Sequence, residues 1–380
     1  MGRGIVFAAL VLLVLGFLVA AVVATSYRAV PESGARTEVP TPVPGALGSG
    51  SLVQSSWYTV FFTQPVYPDD PAQHRGGLDE RLVSLLDRAE TTLDVAGYDF
   101  DLQNVAQAMA RARQRGVRVR MVTDSDTVAN KNEEIQAALA IVRGAGIPIV
   151  EDGRSGIMHH KFTVVDNAWV STGSWNYTDG DTYRLNNWMG IFHSSELAAN
   201  YTAEFEQLFA GKFGGGKRGV LPHPAIALGG SQVQTCFSPQ GKCDRLIVRT
   251  IEREARRAVR FLAFSFTHDQ IGQAILEKAS MGIRVAGVFE TTGSQTQYSE
   301  YGRMKAAGLE VYTDGSPWAL HHKVILIDDR IVVAGSFNFS QNATATNDEN
   351  LLVLEDPALA QGFATEFDYI LQVAQNPPAR

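Results

Sequence analysis

The feature that most constrains this chain is an internal duplication. One pattern of histidine, lysine, aspartate, serine and asparagine occurs twice with identical internal spacing. The first copy consists of His159, Lys161, Asp166, Ser174 and Asn176, and the second consists of His321, Lys323, Asp328, Ser336 and Asn338. A pattern repeated over this length indicates a repeated structural unit. The body of the chain should therefore consist of two similar halves.

The sequence around each copy alternates between strand and helix patterns. Segments 93–100 and 259–266 read as strands, and each is followed by a helix with apolar residues on one face and then by another strand. This alternation predicts an α/β fold in which each half is an α/β/α sandwich with a mixed, largely parallel sheet. The predicted halves span residues 57–212 and 233–380, and a Gly- and Pro-containing linker, 213–232, joins them.

The N-terminus has a different character. Residues 5–24 form an apolar run without a charged side chain, long enough to span a bilayer as a helix, and Arg3 precedes it. We expect residues 1–25 to be a signal anchor, with a cleaved signal peptide as the alternative. Residues 26–56 are rich in Pro, Gly and Ser and predict a flexible linker. The body would then be extracytoplasmic and anchored to a membrane, or secreted if the signal is cleaved.

Charge and cysteine content narrow the function classes. The chain has 33 Lys and Arg against 40 Asp and Glu, a net charge of −7, which gives no overall attraction to nucleic acid, although a local basic groove remains compatible with it. Two cysteines are too few for a disulfide scaffold. Cys236 and Cys243 flank a Pro-Gln-Gly turn, so a local disulfide is expected in an extracytoplasmic body, with two separate thiols as the alternative.

The spacing of the repeated residues suggests a phosphate-directed site. Alternate strand residues share a face, so His159 and Lys161 should project together while His160 points away. A return strand should bring Ser174 and Asn176 back beside His159. Histidine can attack phosphorus or protonate a leaving oxygen near neutral pH, and the lysine and amide groups can stabilise the charged transition state.

The two aspartates of the pattern permit two interpretations. Asp166 is followed by Asn167 and is typical of a turn between two strands, and Asp328 occupies the same position in the second copy. Each aspartate is therefore either a catalytic group or a structural residue of a hairpin.

With these motifs in view, the sequence resembles the phospholipase D superfamily, whose signature is His-x-Lys-x4-Asp followed by Gly-Ser-x-Asn. The resemblance covers roughly residues 57–375. It implies one active site at the pseudo-twofold interface of the halves, working without a metal or other cofactor. One histidine would form a covalent phosphohistidine, and the other would protonate the leaving alcohol and then activate water. By analogy, His159 would be the nucleophile and His321 the general acid and base.

Members of the family also place an acidic residue after the motif, and the carboxylate of this residue holds the histidine of the other half. Glu349 lies 28 residues after His321, whereas Asn187 occupies the equivalent position in the first half. If pairing crosses between halves, Glu349 orients His159 and His321 faces a neutral amide; pairing within a half would reverse the two roles. The candidate catalytic residues are His159, Lys161, Asp166, His321, Lys323, Asp328 and Glu349, and the candidate phosphate-binding residues are Ser174, Asn176, Ser336 and Asn338.

The motifs indicate phosphodiester chemistry without specifying the substrate. The N-terminal apolar run and the acidic balance favour a phospholipid at a membrane surface, hydrolysed to phosphatidic acid and an alcohol. The alternative is a membrane-tethered or secreted nuclease that cleaves DNA or RNA. A binding module that has lost activity is disfavoured because both motifs are complete, and no obligatory protein partner is predicted.

Overall fold

Two eight-stranded sheets with the same strand order form the frame of residues 52–378, the part of the chain that the computed structural model describes. The predicted N-terminal anchor, 1–25, and most of the predicted linker, 26–56, lie outside the described residues. Within residues 52–378 no helix is long and apolar enough to cross a bilayer.

The strands and helices alternate as the repeat predicts. The strands are β1 (Leu52–Gln54), β2 (Tyr58–Phe62), β3 (Thr92–Gly97), β4 (Arg118–Thr123), β5 (Ile149–Glu151), β6 (Lys161–Val165), β7 (Trp169–Gly173), β8 (Leu185–Asn186), β9 (Trp188–His193), β10 (Ile226–Leu228), β11 (Ser231–Ser238), β12 (Ala258–Ala263), β13 (Arg284–Phe289), β14 (Glu310–Thr313), β15 (Ala319–Leu320), β16 (Lys323–Ile327), β17 (Ile331–Gly335) and β18 (Glu349–Glu355). The α-helices are α1 (Leu78–Leu86), α2 (Gln103–Gln114), α3 (Ser125–Ala129), α4 (Glu133–Gly144), α5 (Asp179–Tyr183), α6 (Ser195–Phe209), α7 (Cys243–Glu254), α8 (Asp269–Ser280), α9 (Thr291–Ser294), α10 (Glu300–Ala306), α11 (Gln341–Ala345) and α12 (Pro357–Gln375).

The direction of the strands corrects one part of the fold prediction. The orders are β1-β2-β9-β7-β6-β3-β4-β5 and β10-β11-β18-β17-β16-β12-β13-β14. Within the two eight-stranded sheets only β3-β4-β5 and β12-β13-β14 run parallel, so both of these sheets are mixed but mostly antiparallel. One reason is that β6 returns through a three-residue turn, 166–168, into β7, and strands joined by such a short turn must be antiparallel.

Each sheet is covered on both faces, as an α/β/α sandwich requires. Helices α1, α2 and α4 pack on the outer face of the first sheet, and α7, α8 and α10 pack on the outer face of the second. The inner faces share one central core, to which α6 contributes Tyr201 and Phe205 and α12 contributes Phe363 and Phe367. Burial of these large apolar side chains between the sheets makes the two halves a single folded body.

Backbone pairing across the interface fixes the halves beside the two motifs. β8 of the first half pairs with β15 of the second, and Met158 forms a bridge with Asp348. The amide of His321 donates to Asn186 O at 3.0 Å, and the amide of His159 donates to Asp348 O at 3.0 Å. These contacts position both motif histidines at the boundary between the halves.

Two segments that the sequence assigns to linkers contain strands. β1 lies inside the predicted linker 26–56, where it pairs with β2, and β10 with the start of β11 lies inside the predicted linker 213–232. Both linkers are therefore shorter than composition suggested.

Cys236 and Cys243 are joined by a disulfide, with their Cα atoms 5.7 Å apart.

Candidate active site

The two motif histidines occupy matching positions at one edge of the sheets. Lys161, at the start of β6, pairs with Gly97 at the end of β3, and Lys323 pairs with Ala263 at the end of β12. His159 and His321 precede these lysines by two residues. Carboxyl ends of parallel strands are the usual location of binding sites in α/β folds, and both histidines lie there.

The lysines give the site its positive charge. Lys161 Nζ donates to His159 O at 2.8 Å, and Lys323 Nζ donates to His321 O at 2.7 Å. Burial lowers the pKa of Lys161 to about 8, and burial together with the charge of Lys161 lowers the pKa of Lys323. Two buried ammonium groups that repel each other favour an anion between them.

An aromatic ring lies beside each histidine. The Tyr98 ring meets His159 edge-on with ring centroids 4.8 Å apart, and the Phe264 ring meets His321 in the same way at 4.6 Å. These rings fix the imidazole planes and keep water from one side of each.

His159 is held by a carboxylate from the other half. Its Nδ1 lies 2.8 Å from Glu349 Oε2, and Ser336 Oγ donates to the same oxygen at 2.7 Å. Burial raises the pKa of Glu349 to about 7. Burial, and then the charges of Lys161 and Lys323, lower the pKa of His159. His159 is therefore neutral, and since Nδ1 donates to Glu349, the lone pair is on Nε2.

His321 is held by two oxygens of the first half. Its Nδ1 lies 2.9 Å from Asn187 Oδ1 and 3.2 Å from Asp181 Oδ1. Burial and Lys323 lower the pKa of His321, and Asp181 opposes that shift. The sequence predicted only the neutral amide opposite His321, so the contact with Asp181 corrects that expectation.

The two motif serines support the groups that hold the histidines. Ser174 Oγ donates to Asn187 Oδ1 at 2.7 Å and accepts from the Trp188 amide, and Ser336 Oγ accepts from the Asn350 amide. Both serines are fully buried. Their hydroxyl groups are already committed to protein partners, so neither serine is a phosphate-binding residue as the sequence predicted.

The motif asparagines remain candidates for contact with a ligand. Asn176 Nδ2 donates to Asp181 Oδ1 at 3.2 Å. The side-chain oxygens of Asn176 and Asn338 are buried without a protein partner. Buried polar atoms normally find a partner, so these two atoms are expected to bond to bound water or substrate.

The two motif aspartates lie away from this cluster. β6 separates Asp166 from Lys161, and five strand residues span about 17 Å. Asp166 and Asn167 form the hairpin turn with left-handed backbone, φ 53° and 52°. The Asp166 carboxylate accepts from the backbone amides of 90, 91 and 92 at 2.7–2.9 Å, so the structural interpretation replaces the catalytic one.

Asp328 has the same environment in the second half. Its carboxylate accepts from the amides of Arg256, Arg257 and Ala258, each at 2.8 Å. These three hydrogen bonds lower the pKa of Asp328 although partial burial opposes them. Asp166 and Asp328 thus fix the starts of β3 and β12 and do not reach the histidines.

An apolar contact between the halves lies close to His321 in sequence. Trp318 Nε1 donates to Val66 O at 3.0 Å, and the Trp318 and Tyr67 ring centroids are 5.5 Å apart. Val66 is 58% exposed. The contact therefore presents apolar surface to solvent, three residues before His321.

Carboxylates are prominent near α5, on the first-half side. Asp99 and Asp101 follow β3, and Asp179 begins α5. Asp101 accepts from the Asp179 amide at 2.8 Å, and Arg184 is paired with Asp179 at 3.3 Å. Burial raises the pKa of Asp99 to about 6 and that of Asp101 to about 7.

Asp181 is the main site residue that sequence reasoning missed. It lies five residues after Asn176, where the second half has Ala343 five residues after Asn338. A position-by-position comparison of the two halves would have shown that each half has one acid, at different positions. The position at which the family usually has its acid holds Glu349 in the second half but Asn187 in the first, so that position alone does not reveal Asp181.

Comparisons with known proteins agree with this fold. The family described as "Cardiolipin synthase, PLD-like domain" matches residues 82–209 and 247–371, one match in each half. The phosphatidylserine synthase structure from Haemophilus influenzae Rd KW20 aligns with a TM-score of 0.60 over 80% of this chain and 86% of that chain, at 14% identity. That likeness shows the shared fold.

Two curated relatives match about one third of the chain each. "Phospholipase D" of Rickettsia prowazekii is 32% identical over 133 residues, 35% of this chain and 64% of the relative. "Mitochondrial cardiolipin hydrolase" of Xenopus tropicalis is 36% identical over 139 residues, 37% of this chain and 64% of the relative. The matches thus cover less than two thirds of each relative's length. With a family match in both halves, the chain belongs to the PLD-like domain family of the phospholipase D superfamily.

Proposed function

We propose that this chain is a phosphodiesterase that hydrolyses phospholipids to phosphatidic acid and an alcohol, through a covalent phosphohistidine and without a metal ion. The observation that carries the proposal is the pair of buried histidines, each held at Nδ1 by acceptors from the opposite half. With Nδ1 held in this way, Nε2 of each imidazole is the atom left to react with a common anion, which Lys161 and Lys323 attract.

The first step forms the covalent intermediate. The lone pair on His159 Nε2 attacks phosphorus, the bond from phosphorus to the leaving alcohol breaks, and the alcohol oxygen takes a proton from His321 Nε2. The negative charge of the bound phosphodiester favours the protonated form of His321 that this step needs. Glu349 stabilises the positive charge that develops on His159.

The second step releases the product. His321, now neutral, takes a proton from water while the water oxygen attacks phosphorus. The phosphorus–nitrogen bond breaks, and its electron pair returns to His159 Nε2. The sum of the two steps is phosphodiester plus water giving phosphomonoester plus alcohol, with both histidines restored.

Three observations favour a phospholipid as the substrate. Relatives of the chain bear the names phospholipase D and mitochondrial cardiolipin hydrolase. Trp318, three residues before His321 in sequence, and its contacts Tyr67 and Val66 offer apolar surface suited to contact with the apolar part of a lipid. The apolar N-terminal run would keep the body at a membrane, and we include extracytoplasmic anchoring in the proposal.

Product analysis with the full-length chain tests this proposal. Vesicles of phosphatidylcholine and cardiolipin and, separately, single-stranded DNA are incubated with the protein in excess EDTA. His159→Ala is the inactive variant. His223→Ala is its matched control, because His223 is 40% exposed and its ion pair with Glu196 is long, 3.7 Å.

The expected result is phosphatidic acid from the vesicles, absent with His159→Ala and unchanged with His223→Ala. Cleavage of DNA without lipid turnover would overturn the proposed substrate and support the nuclease alternative. Loss of activity in EDTA that added metal restores would overturn the metal-free chemistry.

A further inference from the structure

The two halves carry their acidic group at different positions. In the second half Glu349 lies in β18, eleven residues after Asn338, and the position five residues after Asn338 is Ala343. In the first half the position eleven residues after Asn176 is Asn187, and the acid, Asp181, lies five residues after Asn176. Each half thus has one carboxylate and one uncharged side chain, in opposite order.

Asp181 is built into the site as a fixed anion. Its Oδ1 accepts from the Asn176 amide at 3.1 Å, from Asn176 Nδ2 at 3.2 Å and from Asn187 Nδ2 at 3.0 Å. Thr178 Oγ1 donates to Oδ2 at 3.1 Å. Although burial opposes it, contact with His321 lowers the pKa of Asp181 to about 2. A carboxylate with this many donors stays ionised at every working pH.

The contacts also determine which ring nitrogen of His321 carries the proton. Both neighbours of its Nδ1, Asn187 Oδ1 at 2.9 Å and Asp181 Oδ1 at 3.2 Å, are acceptors. The Asn187 amide cannot be reversed, because its Nδ2 already donates to two acceptors of Asp181. His321 Nδ1 therefore carries the proton, and Nε2 is the atom that exchanges a proton with substrate.

We propose that Asp181 is the positioning carboxylate of His321, and that it performs from α5 the role that Glu349 performs for His159 from β18. This inference rests on the proposed function for its catalytic consequence. Asp181 does not reach the reacting atoms; it holds the His321 ring and stabilises its cationic form. The groups that act on His321 in the opposite sense are the ammonium groups of Lys323 and Lys161.

Moving the carboxylate of the first half from position 181 to position 187 tests the inference. The variants are Asp181→Asn, Asp181→Ala, and Asp181→Ala combined with Asn187→Glu, which reproduces in the first half the order found in the second. Asp179→Asn is the matched control: it lies on the same helix, is 44% exposed, and pairs with His74 and Arg184 rather than His321.

We expect Asp181→Asn and Asp181→Ala to lower kcat by about tenfold or more, with a smaller change in KM. The alkaline limb of the pH profile of kcat should move to lower pH, because His321 then holds its proton less firmly. The double variant should regain most of the loss and bring the limb back. A double variant no more active than Asp181→Ala, or a limb that does not move in Asp181→Asn, would overturn the inference.

A spectroscopic readout separates this inference from the proposed function. In full-length chain labelled with ¹⁵N-histidine, the His321 ring should titrate at lower pH in Asp181→Asn than in the wild type, and Asp179→Asn should leave it unchanged. If the wild type cleaves no substrate, the proposed function fails, and the titration still decides the role of Asp181. An identical titration in wild type and Asp181→Asn would contradict that role.

Discussion

His159 Nδ1 lies 2.8 Å from the Glu349 carboxylate, although 190 residues separate the two in sequence. Ser336 binds the same carboxylate oxygen, and both Glu349 and Ser336 are fully buried. The nucleophile proposed for the first half is thus oriented by the second half. A single half of this chain contains a motif but lacks the acceptor that orients its own histidine.

Replacement of Glu349 by glutamine should therefore disable His159 without removing side-chain volume. We expect kcat/KM to fall about 100-fold or more, as for buried carboxylates that hold a catalytic histidine in one tautomer. Steady-state kinetics with short-chain phosphatidylcholine measure this. Glu355→Gln is the control, since Glu355 lies on the same strand and pairs with Arg330 at the surface. Equal activities of the two variants would contradict the role of Glu349.

Replacement of Asp166 by alanine should affect stability and leave the chemistry intact. The change removes three hydrogen bonds to the backbone that starts β3. We expect the free energy of unfolding to fall by about 1–3 kcal/mol, with kcat of the folded protein unchanged. Denaturant titration and initial rates on the same preparation test both statements. A large loss of kcat at wild-type stability would restore the catalytic interpretation.

The two-half fold and the positions of the motif residues could be predicted from the sequence because the motif repeats. Identical spacing located both histidines and both lysines, and the alternating periodicity indicated two α/β/α halves. The turn residues Asp166 and Asn167 were also recognisable, because left-handed backbone favours these residue types.

Other parts depend on contacts that spacing cannot show. Ser174 and Ser336 point to Asn187 and Glu349 rather than to the ligand, a matter of side-chain direction in the folded protein. The mostly antiparallel order also depends on the pairing of β2 with β9, which joins residues 120 or more positions apart in the chain. Asp181 escaped notice because it lies outside the position at which the family places its acid.

A buried ionic group ties the segment between the halves to both of them. Lys217 Nζ contacts Glu204 of the first half and lies 2.6 Å from Asp348 of the second. Lys217→Met would remove the cation that both buried carboxylates share, leaving Asp348 its ion pair with Arg154, and we expect a loss of about 3 kcal/mol in the free energy of unfolding. Thermal and denaturant unfolding measure it, with the exposed Lys212→Met as control. Equal stability of the two variants would show that the group contributes nothing.

The carboxylates near α5 predict how stability depends on pH. Burial raises the pKa of Asp101 to about 7, above its value in the unfolded chain. The folded state therefore keeps a proton that the unfolded state has lost, and stability falls as pH rises toward 7, by about 1.4 kcal/mol per pH unit from this group. Asp101→Asn should make the decline between pH 5 and pH 7 shallower in urea titrations. Parallel slopes for wild type and variant would contradict this.

The most direct test of the proposed chemistry is to locate the covalent phosphoryl group. The full-length wild type is mixed with short-chain phosphatidylcholine and quenched rapidly during turnover in alkaline denaturant, because His321→Ala would lack the acid of the first step as well as the base of the second. The peptide containing His159, His160 and Lys161 is then sequenced by mass spectrometry. We predict the added mass on His159, and no labelled peptide in His159→Ala with His321 intact. A phosphoryl group on His321 of the wild type, or turnover by His159→Ala, would contradict the account.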